Sequence, residues 1–103
     1  MMKKNYDGVI EGVRYDDDGK IIWARGYQRK GFIFSDLILF PRQEIIDRIA
    51  AGEKFYTGTR DLLMGHNFKI NKPLRLVDHN GEKLVVAGDT PTDRDHIAGV
   101  PLV

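Results

Sequence analysis

The sequence predicts an α+β domain: a mostly antiparallel sheet of five or six strands, built from two hairpins, with one helix packed on one face. Three observations carry that expectation. Two turn signals, Asp16-Asp17-Asp18-Gly19 and His79-Asn80-Gly81-Glu82, each lie between β-prone runs. One stretch near the middle has the apolar spacing of a helix and no other does. The length, 103 residues, suits one core and is too short for two, so residues 1–103 are expected to form a single domain.

The first hairpin joins residues 8–15 to residues 20–27. Asp favours the early turn positions between them, and Gly19 supplies a positive φ at the end. Residues 31–34 read as a third strand. The unbroken apolar run Leu37-Ile38-Leu39-Phe40 is either its continuation or a separate short piece. The helix covers 41–51, with Pro41 at the first helical position and Gly52 as the C-terminal cap. Ile45, Ile46, Ile49 and Ala50 form its apolar stripe, and so short a helix needs a sheet to lie against.

A strand at 53–57 leaves the helix. Leu62, Leu63 and Met64 call for burial, and Phe68-Lys69-Ile70 reads as a short strand. The second hairpin pairs 74–78 with 83–87 around a type I′ turn at Asn80-Gly81. That register sets Asp78 against Lys83, Val77 against Leu84 and Leu76 against Val85. Near the C-terminus, Thr92 and Asp95 have the spacing to cap a short helical turn, and Val100, Leu102 and Val103 are expected to dock on the core.

Charge and composition exclude several functions. Sixteen Lys and Arg against fifteen Asp and Glu give a formal charge of +1, which announces neither nucleic acid nor membrane. The absence of cysteine excludes a thiolate nucleophile and Cys-ligated zinc, and it points to the cytoplasm. After Met1-Met2-Lys3-Lys4 comes Asn5-Tyr6-Asp7-Gly8, where a signal peptide would need an apolar core. The longest apolar run falls far short of the ~20 residues that span a bilayer, so no membrane partner is expected.

Three segments together resemble a family of short prokaryotic proteins catalogued as a domain of unknown function. They are the hairpin Val13-Arg14-Tyr15 to Ile21-Ile22, the helix-glycine-aromatic stretch from Glu44-Ile45-Ile46 through Ile49-Ala50-Ala51-Gly52 to Phe55-Tyr56-Thr57, and a close running from Thr92-Asp93-Arg94-Asp95-His96-Ile97 to Val100-Pro101-Leu102. The resemblance implies a compact α+β domain. It implies no activity and transfers no site residue.

Candidate sites are few. The Asp16–Asp18 run lacks the other ligands of an EF-hand loop, because Arg14 and Arg25 stand where oxygen ligands belong. His66, His79 and His96 have no metal-pair spacing; His96, beside Asp93 and Asp95, is the one candidate general base. Ser35 has no nucleophile motif around it. On a continuous strand, Trp23, Arg25, Tyr27 and Arg29 fall on one face, with Lys30 beside them. That pattern suits single-stranded nucleic acid, whose bases stack on rings while phosphates meet cations.

The expected function is therefore a non-catalytic binding or interaction module whose partner the sequence leaves unknown, an unidentified protein or a second copy, with no cofactor and no catalytic residue. Single-stranded nucleic-acid binding through Trp23, Arg25, Tyr27, Arg29 and Lys30 is the alternative. A small enzyme or metal protein around His96 comes third. For an interaction module, Phe32, Phe34 or Leu37 should belong to an exposed apolar patch.

Overall fold

The computed structural model describes residues 6–31, 33–60, 68–88 and 94–103. The elements run β1 (Gly8–Tyr15), β2 (Ile21–Lys30), β3 (Ile33–Phe34), β4 (Ile38–Pro41), α1 (Arg42–Ala50), β5 (Phe55–Arg60), β6 (Phe68–His79), β7 (Glu82–Ala87) and β8 (His96–Ile97). They form one eight-stranded sheet in the order β3-β2-β1-β5-β6-β7-β8, and β4 lies beside β3 on the same edge of β2. None of the described helices is long and apolar enough to cross a membrane.

This is a mostly-β fold, which corrects the expected α+β domain of five or six antiparallel strands. The sheet is mixed, because β1 pairs with β5 and β7 with β8 in parallel. The one helix among the described residues has only nine residues. Two physical reasons explain the difference. Strands of two residues, such as β3 and β8, are too short to show a period of two. The 12-residue β6 interrupts its own pattern with Asn71, Lys72 and Pro73, so it reads as two separate strands, 68–70 and 74–78.

The local expectations fare better. In the β6–β7 hairpin, Asn80 and Gly81 have φ of 51° and 82°, and the register pairs Leu76 with Val85, Val77 with Leu84 and Asp78 with Lys83. At the β1–β2 turn, the Asp16 carboxylate accepts from the N–H groups of Asp18 and Lys20, and Gly19 has φ 82°. Pro41 is the extended N-cap of α1, and Gly52 follows the helix at φ 98°. Ile45 and Ile46 are buried and Ile49 partly so, but Ala50 faces solvent. The burial expected for Leu62, Leu63 and Met64 lies outside the described residues.

The core fills the face under α1, from Ile10, Val13 and Ala24 to Phe40, Phe55, Leu74 and Val85. Gly26 allows β1 to approach, since a Cβ there would run into the Val9 carbonyl. The C-terminal tail completes β1. β5 accompanies β1 only from Gly8 to Ile10; farther along, Val13 donates to the Pro101 carbonyl at 3.1 Å and accepts from Val103 N–H at 3.0 Å. The route β1-β5-β6-β7-β8-tail thus returns to β1. The tail docks through its backbone and through Val100, which packs on the core, while the Leu102 side chain stays exposed.

Candidate interaction surface

Trp23, Arg25, Tyr27 and Arg29 do alternate onto one face of β2, since the register break opposite them lies in β1, at Glu11. The face is not uniform along its length. Tyr27 is only 7% exposed: its ring packs on Phe68 with centroids 5.1 Å apart, and Arg60 stacks over it at 5.1 Å. Phe68 reaches across two intervening strands to do this, which requires a strongly curved sheet. Tyr6 and Phe34 join the cluster, with Arg29 over Phe34 at 6.0 Å. Burial raises the Tyr27 hydroxyl pKa, with a further contribution from Glu11, whose carboxylate accepts its hydrogen bond at 3.2 Å.

Near the start of β2 the same face is partly covered. Trp23 is half-buried beside Pro41 in the next strand, and Arg25 lies opposite both Gly12 and Leu39. The Arg25 Nε is buried without an acceptor. Lys30 is exposed at the far end. The structure therefore buries Tyr27, leaves Trp23, Arg25 and Arg29 partly covered, and exposes Lys30.

Beyond Trp23 lies the outer edge of the sheet. Leaving β2, the chain returns along it as β3 and then β4, with one extra residue between the pairs Arg29–Phe34 and Gly26–Ile38. Ser35 clips this bulge: its N–H donates to the Gln28 carbonyl, its hydroxyl accepts from Gln28 N–H and donates to the Asp36 carbonyl. After the bulge and a bend at Asp36 and Leu37, Ile38 and Phe40 of β4 turn toward the core and Leu39 turns out, with Leu37 exposed at the bend. Leu37 is 43% exposed and Leu39 58%, with Ile33 exposed farther along. Among the described residues, no strand pairs with the outer side of β4. The uncovered parts of the two leucines equal about one whole side chain, worth about 1.5–3 kcal/mol on burial. Of the three residues expected in an exposed patch, Leu37 is there, Phe34 belongs to the aromatic cluster, and Phe32 lies outside the described residues.

His96 is exposed on β8, whereas the Asp95 carboxylate is fully buried and points the other way. The helical turn expected from Thr92 to Asp95 begins outside the described residues, and the Asp95 carboxylate serves distant partners. Its Oδ2 accepts from Ile21 N–H at 2.8 Å and Arg42 Nε at 2.7 Å, and its Oδ1 accepts from Val85 N–H at 2.9 Å and Arg42 Nη2 at 3.1 Å. One carboxylate thereby ties the start of β2, the middle of β7 and the first turn of α1 together. The bond to Asp95 holds the Arg42 guanidinium above its usual pKa, against the effect of desolvation. Nothing local in the sequence marks this group, because its partners lie 74, 53 and 10 residues away.

Chemistry has little purchase elsewhere. His79 is exposed at the second turn, next to Asn80; His66, Thr92 and Asp93 lie outside the described residues. Among the described residues no group of three His, Asp or Glu could hold a metal ion. An open cleft of about 300 Å³ between β5, β6 and the tail is lined by Glu11, Thr59, Lys69 and Asn71 among others, and its walls mix both charges. Comparison with protein-family models, curated proteins and solved structures finds no match.

Proposed function

We propose that this chain is a non-catalytic interaction module that takes a partner's strand on the outer edge of β4. The observation that carries the reading is Leu39 on β4 and Leu37 in the bend just before it, both exposed along an edge with which no strand pairs among the described residues. Edge strands are ordinarily guarded by charge, and here Asp36 is the single charged residue between Ile33 and Pro41. The Ser35 bulge and Pro41 bound the open stretch to a few residues. That length suits a short added strand, in which backbone bonds supply affinity and the leucines supply selectivity. A chain without cysteine suits a reducing compartment, so the reading places the module in the cytoplasm.

The roofed ring of Tyr27 favours this reading over nucleic-acid binding, since base stacking needs open ring faces. Panning short displayed peptides on the full-length chain tests it. Selected peptides should alternate apolar residues, slow amide exchange at residues 37–40, and lose roughly tenfold or more in affinity for Leu39→Lys, as expected for the loss of one apolar contact. Peptides that bind Leu39→Lys as tightly as the parent would overturn the reading.

A further inference from the structure

We infer that the β6–β7 turn is a self-modification site, at which Asn80 is converted slowly and without an enzyme to an aspartyl or isoaspartyl residue. The inference is independent of the β4 edge. His79 pairs with Glu82, so Asn80 and Gly81 form a two-residue loop outside the ladder. Both are exposed, and no neighbour among the described residues lies within 4 Å of a Cβ built on Gly81. Glycine brings no side chain to crowd its own backbone nitrogen. Asn5, Asn67 and Asn71 precede Tyr6, Phe68 and Lys72 instead.

The chemistry needs only the loop and water. The Gly81 backbone nitrogen loses its proton to solvent and attacks Asn80 Cγ. A nitrogen–carbon bond forms, the bond from Cγ to Nδ2 breaks, and ammonia departs, leaving a five-membered succinimide. Water then adds to one of the two ring carbonyls and opens the ring, giving an aspartyl residue from one and an isoaspartyl residue from the other. One water is consumed and one ammonia released. Bringing the nitrogen onto Cγ requires a rotation of the loop, which its exposure and lack of packing allow. The His79 ring stands beside the leaving group: its Nε2 lies 3.4 Å from Asn80 Nδ2, the nitrogen that must take up a proton to depart.

The sheet registers the product. Either form adds a negative charge between Asp78 and Glu82. The isoaspartyl form also carries the main chain through one extra carbon, and this loop is what fixes Leu76 opposite Val85. Val85 N–H donates to the Asp95 carboxylate, so a lengthened loop loosens β7 where that carboxylate holds it.

Incubating the folded chain at neutral pH for several weeks, with peptide mass mapping at intervals, reads the conversion directly. The expected result is a gain of one mass unit on the peptide carrying Asn80, at least about tenfold faster than on the one carrying Asn71. Gly81→Ala, which adds a Cβ beside the attacking nitrogen, should slow the gain by a similar factor, and His79→Gln should slow it several-fold. In the isoaspartyl form, separated by chromatography, the Val85 amide should exchange several-fold faster than in the parent. An Asn80 that stays intact in the folded chain while it converts in urea overturns the inference, because the folded turn then protects it. Equal rates at Asn80 and Asn71 overturn it as well, and an unchanged rate in His79→Gln removes the histidine from the reaction.

Discussion

Pro41 and Arg42 are neighbours in the chain, yet the regions they belong to obey opposite rules. Arg42 reaches into the Asp95 node, where a buried carboxylate meets two strand N–H groups and two guanidinium nitrogens. Pro41 closes β4, where leucines face solvent along an edge with which no strand pairs among the described residues. At the node, a polar group is hidden and fully paired. At the edge, apolar groups are exposed and unpaired. Burying a charge requires complete compensation, and leaving leucines in water forfeits their transfer free energy. The node has its compensation within the chain. The edge lacks its counterpart, and that asymmetry separates a structural feature from a functional one.

The comparison breaks most visibly at the node. Asp95→Ala removes the acceptor for Ile21 N–H, Val85 N–H and Arg42 at once, and should cost about 3–5 kcal/mol. For a domain whose whole stability is of order 5–15 kcal/mol, the urea midpoint should fall steeply. A loss below about 1 kcal/mol would show that the node does not tie β2 to β7.

The β6–β7 turn provides an intermediate case, exposed like the edge but specified by backbone conformation. No neighbour lies within 4 Å of a Cβ built on Gly81, so packing does not enter; its φ of 82° does. Gly81→Val should therefore cost about 1–2 kcal/mol, read as a lower melting temperature. A neutral substitution would mean that the turn relaxes into another type.

The contrast also explains how much the sequence disclosed. The second hairpin was legible to the residue because its signal is local: Asn-Gly fixes the turn, and the turn fixes the register. The helix was legible within a residue or so at each end, from Pro41 and Gly52. Asp95 was not legible, because a carboxylate whose partners come from three distant segments leaves no spacing to read. The parallel pairings of β1 with β5 and β7 with β8 share that difficulty, being set by tertiary closure. The apolar run at 37–40 was seen but could not be assigned. Its inward residues, Ile38 and Phe40, and its outward ones, Leu37 and Leu39, are all apolar, so the alternation that marks an edge strand was masked. That masking is itself the trace of the uncovered edge. Likewise the Trp23 face was correctly aligned by alternation, but the curvature that brings Phe68 over Tyr27 depends on a strand much later in the chain and carries no local mark.

Residue-resolved amide exchange on the wild-type chain, with and without an edge-selected peptide, tests the central claim most directly, namely that the β4 edge is open in the free chain and covered by an added strand. In the free chain, those amides of residues 38–40 that do not bond to β2 should exchange rapidly, and Val85 and Val86 in β7 slowly. With the peptide in excess, the edge amides should slow measurably with β7 unchanged. Edge amides that are already protected in the free chain, or that do not respond to an edge-selected peptide, would contradict the account.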